Sequence, residues 1–241
     1  MPRFFVPAPP DVGGTAVITG DDARHIAGAL RMTPGEPLTL CDGAGQDYLC
    51  RIESVARDAV TLRVERSEKS VGEPSLSVTL YMGLPKADKL ELVIQKSVEL
   101  GAVRIVPTVT ARSIARIDPR DSEKKTARWQ RIAAEAAGQS GRGIIPTVEP
   151  PIMLRAALPR LARENALLCY EGGGTPLGDL VSPADESVSL LIGPEGGFAP
   201  EEVEAVVAGG GRLATLGTRI LRCETAPLAA LAILQEAARK K

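Results

Sequence analysis

Two short stretches near the end of the chain hold residues able to do chemistry. The first, LGTRILRCETA (216–226), sets Arg219, Arg222 and Glu224 beside the aliphatic pair Ile220-Leu221. Charged side chains are costly near a core unless paired. The stretch therefore has two readings. In one, Arg222 pairs with Glu224 or an arginine caps carbonyls. In the other, the arginines face an anionic or carbonyl-rich substrate, which suits a planar fork of donors. The second stretch, LLIGPEGGF (190–198), is an apolar run that stops in a Pro/Gly-rich loop. Gly193, Gly196 and Gly197 would let backbone groups approach a ligand closely. The plain alternative is a tight strand-to-helix turn. The loop has no Lys-Ser/Thr of a Walker motif, does not fit GxGxxG, and follows a late strand rather than the first.

Between the two, PEEVEAVVAGGG reads as one helix, with Pro200 at its first position, Glu201 and Glu202 at its positive end, and Gly209 to Gly211 stopping it. Two loops, each leaving a buried strand, thus sit one helix apart. In an open α/β sheet the loops at the carboxyl ends of strands form the ligand crevice. The active site is expected there.

The elements upstream fall into two rhythms. FFV, TAVITG, LTLCDG, QDYLCRIESV and AVTLRVERSE are short alternating or β-branched runs separated by turn residues, interrupted by one helix from Asp21. A small barrel over residues 1–72 is expected, with 70–74 as linker. From there strands and helices alternate, the pattern of an α/β layer fold over 75–241. A long helix near 121–138 has Trp129, Ile132, Ala133 and Ala136 on its apolar stripe, and Lys124, Arg128 and Arg131 together on another face.

Composition narrows the function classes. His25 is the only histidine, which excludes a multi-histidine metal site and argues against nucleophile–histidine catalysis. Cys41, Cys50, Cys169 and Cys223 show no CxxC spacing and read as free thiols of a cytosolic protein. No apolar run approaches a membrane span, and the N-terminus lacks the apolar core of a signal peptide. Cytoplasmic location is expected. The formal net charge of −1 is unevenly spread: residues 75–145 carry twelve Lys/Arg against seven Asp/Glu, while the flanking segments are net acidic. A polyanion could bind the basic segment, although a solvated helix face accounts equally for the charges.

The chain resembles the uracil-N3 methyltransferases of small-subunit ribosomal RNA, the ribosomal methyltransferase E family of the SPOUT superfamily. The resemblance runs nearly end to end, through HIAGALRMTPGE, KADKLELVIQKSVELGA, WQRIAAEAAGQSGRGIIP, LLIGPEGGF and LGTRILRCETAPLAAL. Gly138 and Ala87 depart from the acidic residue and the glycine usual there. The resemblance implies a PUA-like RNA-binding β-barrel followed by a SPOUT-type α/β methyltransferase domain with a C-terminal trefoil knot. It implies a homodimer that needs no metal and methylates N3 of a uridine in 16S ribosomal RNA with S-adenosylmethionine. The cofactor would sit on Leu191, Ile192, Gly193, Pro194, Glu195, Gly196 and Gly197, and on Leu216, Gly217, Ile220, Leu221, Cys223, Thr225 and Ala226. Arg219 or Arg222 would stabilise the uracil anion, and Glu195 or Glu224 is the nearby type able to take a proton. Arg3 and Arg31 of the barrel would meet RNA, with Lys86, Lys124, Arg128, Arg131 and Arg142 from the basic segment. Two alternatives remain: a SPOUT enzyme acting on ribose or guanine of transfer RNA, and a non-catalytic RNA-binding assembly factor.

Overall fold

The alternating runs of the first seventy residues become five strands: β1 (Arg3–Phe5), β2 (Thr15–Thr19), β3 (Pro37–Cys41), β4 (Gln46–Val55) and β5 (Ala59–Lys69). They are drawn from a computed structural model that describes residues 1–86, 89–114 and 118–239. Ala87 therefore lies outside the described residues. The strands pair in the order β1-β3-β4-β5-β2, antiparallel except for β1 beside β3. Their inward positions, among them Leu38, Leu40, Ile52, Leu62 and Val64, form one core with Phe4 and Ile26. Ile26 comes from the π turn His25–Ala29 that continues the short helix α1 (Gly20–Arg24).

The unit containing this sheet is Met1–Glu73 together with Ala137–Ile145. The second stretch is a correction to the sequence reading, which assigned it to the later domain. Its attachment is polar and backbone-driven. Glu73 accepts hydrogen bonds from the amides of Gly143 and Ile144, each at 2.9 Å, and from Arg142 Nη2 at 2.8 Å. Ala44 bridges Ile144, and the Gly45 amide donates to the Gly143 carbonyl at 3.2 Å. Arg142 is 2% exposed, and Arg3 grips Asp47 in a two-pronged pair at 2.7 and 2.8 Å. Both arginines were expected to meet RNA. In the structure each pairs with a carboxylate inside this unit.

The second unit is Pro74–Ala136 with Pro146–Lys241. Its strands are β6 (Ser77–Gly83), β7 (Ala102–Val109), β8 (Thr147–Val148), β9 (Ile152–Met153), β10 (Ala166–Cys169), β11 (Thr175–Pro176), β12 (Ser187–Ile192) and β13 (Arg212–Thr215). They pair in parallel, in the order β11-β13-β10-β12-β6-β7-β8, with β9 also on β7. Its helices are α2 (Lys89–Glu99), α3 (Pro119–Gln139, whose end belongs to the first unit), α4 (Leu154–Leu161), α5 (Pro200–Ala208) and α6 (Ala226–Ala237). A parallel sheet is buried on both faces, so its strands are nearly all apolar; Val188 to Ile192 of β12 are buried without a break. Tyr81, Val106, Leu168 and Leu191 face α4 and α5. The alternate residues Leu80, Met82 and Leu190 point the other way, where α6 packs on α2 and β6. Among the described residues no helix is long and apolar enough to cross a membrane.

One substitution tests the close fit of 137–145 against its unit. A Cβ on Gly72 would lie 2.3 Å from the Gly141 carbonyl oxygen, a backbone atom that cannot yield cheaply. Gly72→Ala is expected to destabilise the first unit by about 1–3 kcal/mol, seen as a lower urea midpoint at unchanged slope. An unchanged midpoint would show that the packing there is loose.

Candidate functional site

The pairing order decides where the two loops open. β10 lies between β12 and β13, and all three run parallel, with Leu167 beside both Leu190 and Arg212. The carboxyl ends of the three strands therefore point the same way. Residues 193–198 after β12, 170–171 after β10 and 216–224 after β13 line one cavity of about 510 Å³, within the usual range for a small-molecule site.

Close backbone approach shapes this cavity. The Gly197 amide donates to the Pro194 carbonyl at 2.9 Å, closing a tight turn. Gly197 and Gly217 have φ of 65° and 104°, a left-handed backbone that disfavours other residues. A Cβ on Gly83, at the end of β6, would fall 2.4 Å from Pro194 Cδ, so only glycine lets β6 and the first loop meet. Glu202 fixes the exit from that loop: one carboxylate oxygen caps α5 through the Ala199 amide at 2.9 Å, and the other accepts from the Ala111 amide at 2.8 Å. Arg112 donates to the Gly196 carbonyl at 2.9 Å.

Every cofactor residue named from the sequence lines the cavity except Leu191 and Thr225. Leu191 is fully buried in the core under α4 and α5, because strand alternation turns it away from the loop. Thr225 sits at the start of α6, its amide donating to the Arg222 carbonyl at 2.8 Å. Ile220 lines the cavity yet is 89% exposed, so it is not the enclosing wall expected of it. Ile192, Leu216 and Leu221 supply apolar surface, and the glycines leave backbone groups accessible. This combination suits a purine held by aliphatic side chains and main-chain hydrogen bonds. The cavity therefore fits S-adenosylmethionine.

Arg219 and Arg222 both border the cavity and are exposed. The Arg222–Glu224 pair weighed from the sequence does not form. Glu224 is held instead by Lys89, at 3.1 Å, and the same ammonium lies 3.2 Å from Glu195. Lys89 was not singled out from the sequence, where it reads as an ordinary helix-start residue. Tyr170 and Glu171 were missed as well, since only the order of the strands reveals that β10 ends between the two loops. Of the expected RNA residues, Arg31, Lys86, Lys124 and Arg131 are exposed, while Arg128 donates to Glu91 at 2.8 Å.

The charges around Lys89 settle their ionisation. Hydrogen bonds from the Cys223 thiol, from its own amide and from Lys89 bring the Glu224 carboxyl down to about 2. Burial opposes ionisation of Glu195, but its own amide, the Lys86 amide and the Lys89 ammonium outweigh it and hold this carboxyl below its usual range. Burial, then the bond to Glu224, pushes the Cys223 thiol up to about 12, so it stays protonated. Two carboxylates are thus anionic at neutral pH, facing one cation. Among the described residues no group of three or more histidine, cysteine or carboxylate side chains is placed to hold a metal.

Two family descriptions match this chain: an RNA methyltransferase PUA domain over residues 18–65 and an RNA methyltransferase domain over residues 72–235. The ribosomal RNA small subunit methyltransferase E of Bacillus subtilis (strain 168) is 36% identical, over 97% of this chain and 96% of its own. The chain belongs to the ribosomal RNA small subunit methyltransferase E family. A further member, from Mycobacterium bovis, is 34% identical over 95% of this chain and 88% of its own. The crystal structure of the Neisseria gonorrhoeae enzyme, bound to S-adenosylmethionine, aligns with TM-score 0.89 and 35% identity over 98% of this chain and 97% of that one. The mixed α/β architecture with a PUA-like domain and a parallel-sheet domain is therefore that of the family.

The lowered carboxyl of Glu224 makes a signed prediction. Its folded value of about 2 lies below the ordinary 4.5 of a glutamate, so its contribution to stability is complete above pH 4.5 and is lost as pH falls towards 2. The stability gap between wild type and Glu224→Gln is expected to be constant above about pH 5 and to shrink below it. A gap independent of pH would mean that Glu224 is not held as an anion.

Proposed function

We propose that this chain methylates N3 of a uridine in 16S ribosomal RNA. It is an S-adenosylmethionine-dependent methyltransferase of small-subunit ribosomal RNA, and the observation that carries the finer reading is two unpaired arginines at the rim of the cofactor cavity. When bound, S-adenosylmethionine supplies an electrophilic methyl group. The chain's own residues must then make uracil N3 a nucleophile. An N3–H is a weak acid whose anion spreads its charge onto O2 and O4, and a guanidinium beside either oxygen stabilises that anion. Arg219 and Arg222 make no side-chain ion pair or hydrogen bond among the described residues, so their donors are available for this role.

Glu195 and Glu224 are poorly suited as bases. A carboxylate already held by Lys89, with its proton affinity lowered, takes a proton reluctantly. In this proposal the N3 proton leaves to solvent while an arginine carries the developing charge, and the two glutamates act on the loops rather than on the substrate. Exposed Arg31 of the PUA-like unit, with Lys86, Lys124 and Arg131 of the other, would contact phosphate.

The trefoil knot and the homodimer are part of the same proposal. β13 lies beyond β10, yet α6, which follows it, packs on α2, β6 and the 3-10 turn Leu177–Leu180. The chain must turn back across β10 and β12 to reach that position, as a knotted terminus would. A cytoplasmic site of action accords with a ribosomal substrate.

The deciding experiment is methyl transfer to small ribosomal subunits, followed by digestion and mass spectrometry of the nucleosides. N3-methyluridine is expected. A ribose- or guanine-methylated product would favour the transfer-RNA type of SPOUT enzyme, and no product would favour an assembly factor. Arg222→Ala is expected to keep most RNA affinity and to lose about a hundredfold in single-turnover rate, the scale of one electrostatic donor. Equal loss of binding and rate would make Arg222 an RNA anchor instead.

A further inference from the structure

We infer that Lys89 is a positioning residue for the cofactor cavity, its ammonium holding the loops after β12 and β13 at the spacing the cavity needs. The inference rests on reading that cavity as the S-adenosylmethionine site. The sheet itself does not join the two loops, because β10 separates β12 from β13. The two loops share no ladder, so a contact outside it must fix one against the other.

Lys89 is placed to do this by β6. That strand runs beside β12 in unbroken register, Tyr81 opposite Leu191 and Met82 opposite Ile192. It ends at Gly83 against Pro194, so the chain leaving β6 starts beside the first loop. The Lys86 amide donates to Glu195 Oε1 at 3.1 Å, fixing that carboxylate from below. Helix α2 then begins at Lys89, whose Nζ lies 3.2 Å from Glu195 Oε1 and 3.1 Å from Glu224 Oε2. Three strand-end loops meet on one nitrogen. Cys223 Sγ donates to the same Glu224 oxygen at 3.2 Å but stays protonated, so it offsets no charge.

The stoichiometry makes the ammonium indispensable. Two carboxylates within reach of one nitrogen are no more than about 6 Å apart, close enough to repel strongly in a partly desolvated site. Without the cation, the loops are driven apart at the cavity wall. Each carboxylate alone causes no such strain. Lysine and its two partners should therefore show strong coupling, with removal of a carboxylate rescuing removal of the cation.

The test is calorimetric titration with S-adenosylmethionine of wild type, Lys89→Met, Lys89→Arg, Glu224→Gln and the double variant Lys89→Met/Glu224→Gln, with thermal unfolding measured alongside. Lys89→Met is expected to weaken binding about tenfold or more. Glu224→Gln should lose less, Lys89→Arg should recover most of the affinity, and the double variant should bind more tightly than Lys89→Met. The inference is overturned if Lys89→Met binds like wild type. It is equally overturned if the double variant is weaker than both single variants, since the carboxylates would then contact the cofactor themselves. If Lys89→Met fails to fold, Lys89→Arg carries the test: near wild-type affinity supports the clamp, and a loss beyond that of Glu224→Gln contradicts it. Wild-type protein that binds no S-adenosylmethionine would instead overturn the reading of the cavity.

Discussion

The parallel seating of β10 between β12 and β13 is the constraint on which the site depends. Parallel strands open their connecting loops at one end, and here three neighbouring ends converge. The sequence distance between the motif loops, bridged by α5, is then irrelevant to their distance in space. The tight turn at Pro194 to Gly197 and the left-handed Gly217 then shape the cavity, with Arg219 and Arg222 at its rim. The apolar strands beneath supply the rigid floor, buried on both faces by α4 and α5 on one side and by α2 and α6 on the other.

On that floor the electrostatics divide into two roles. The carboxylates are consumed by Lys89 and by backbone amides, which keeps them ionised and makes them weak proton acceptors. The arginines at the rim have no such partner. Their planar donor fork is matched by an oxygen-rich partner such as a carbonyl or phosphate. The two signs of charge thus do different work a few residues apart. The same principle separates the arginines elsewhere: Arg3 and Arg142 are neutralised inside their unit, whereas Arg31, Lys124 and Arg131 remain exposed.

How far the sequence could be read follows from the range of the interactions. Period-two and period-3.6 patterns are local, and they placed the five strands of the first unit, the long helix and the α5 helix close to where they lie. The glycine loops were legible because only glycine serves at close approaches and positive φ. Leu191 is absent from the cavity lining because the strand pleat, not the loop, sets the direction of its side chain. Arg3 and Arg142 find their carboxylates 44 and 69 residues away, and no local pattern announces such pairs. The docking of 137–145 with the first unit depends on amides of Gly143 and Ile144 meeting Glu73, again a long-range event. Lys89 and Glu171 became visible only with the strand order, which parallel pairing does not imprint on sequence.

We propose that the two loops and the end of β10 form the S-adenosylmethionine site, organised around Lys89. A crystal structure of the protein with S-adenosylmethionine tests it most directly. Ligand density is expected between residues 193–197 and 216–223, with the Lys89 ammonium still joining Glu195 and Glu224 and with Arg219 and Arg222 left open to solvent. Density elsewhere on the protein, or a bound state in which Lys89 has left both carboxylates, would contradict it.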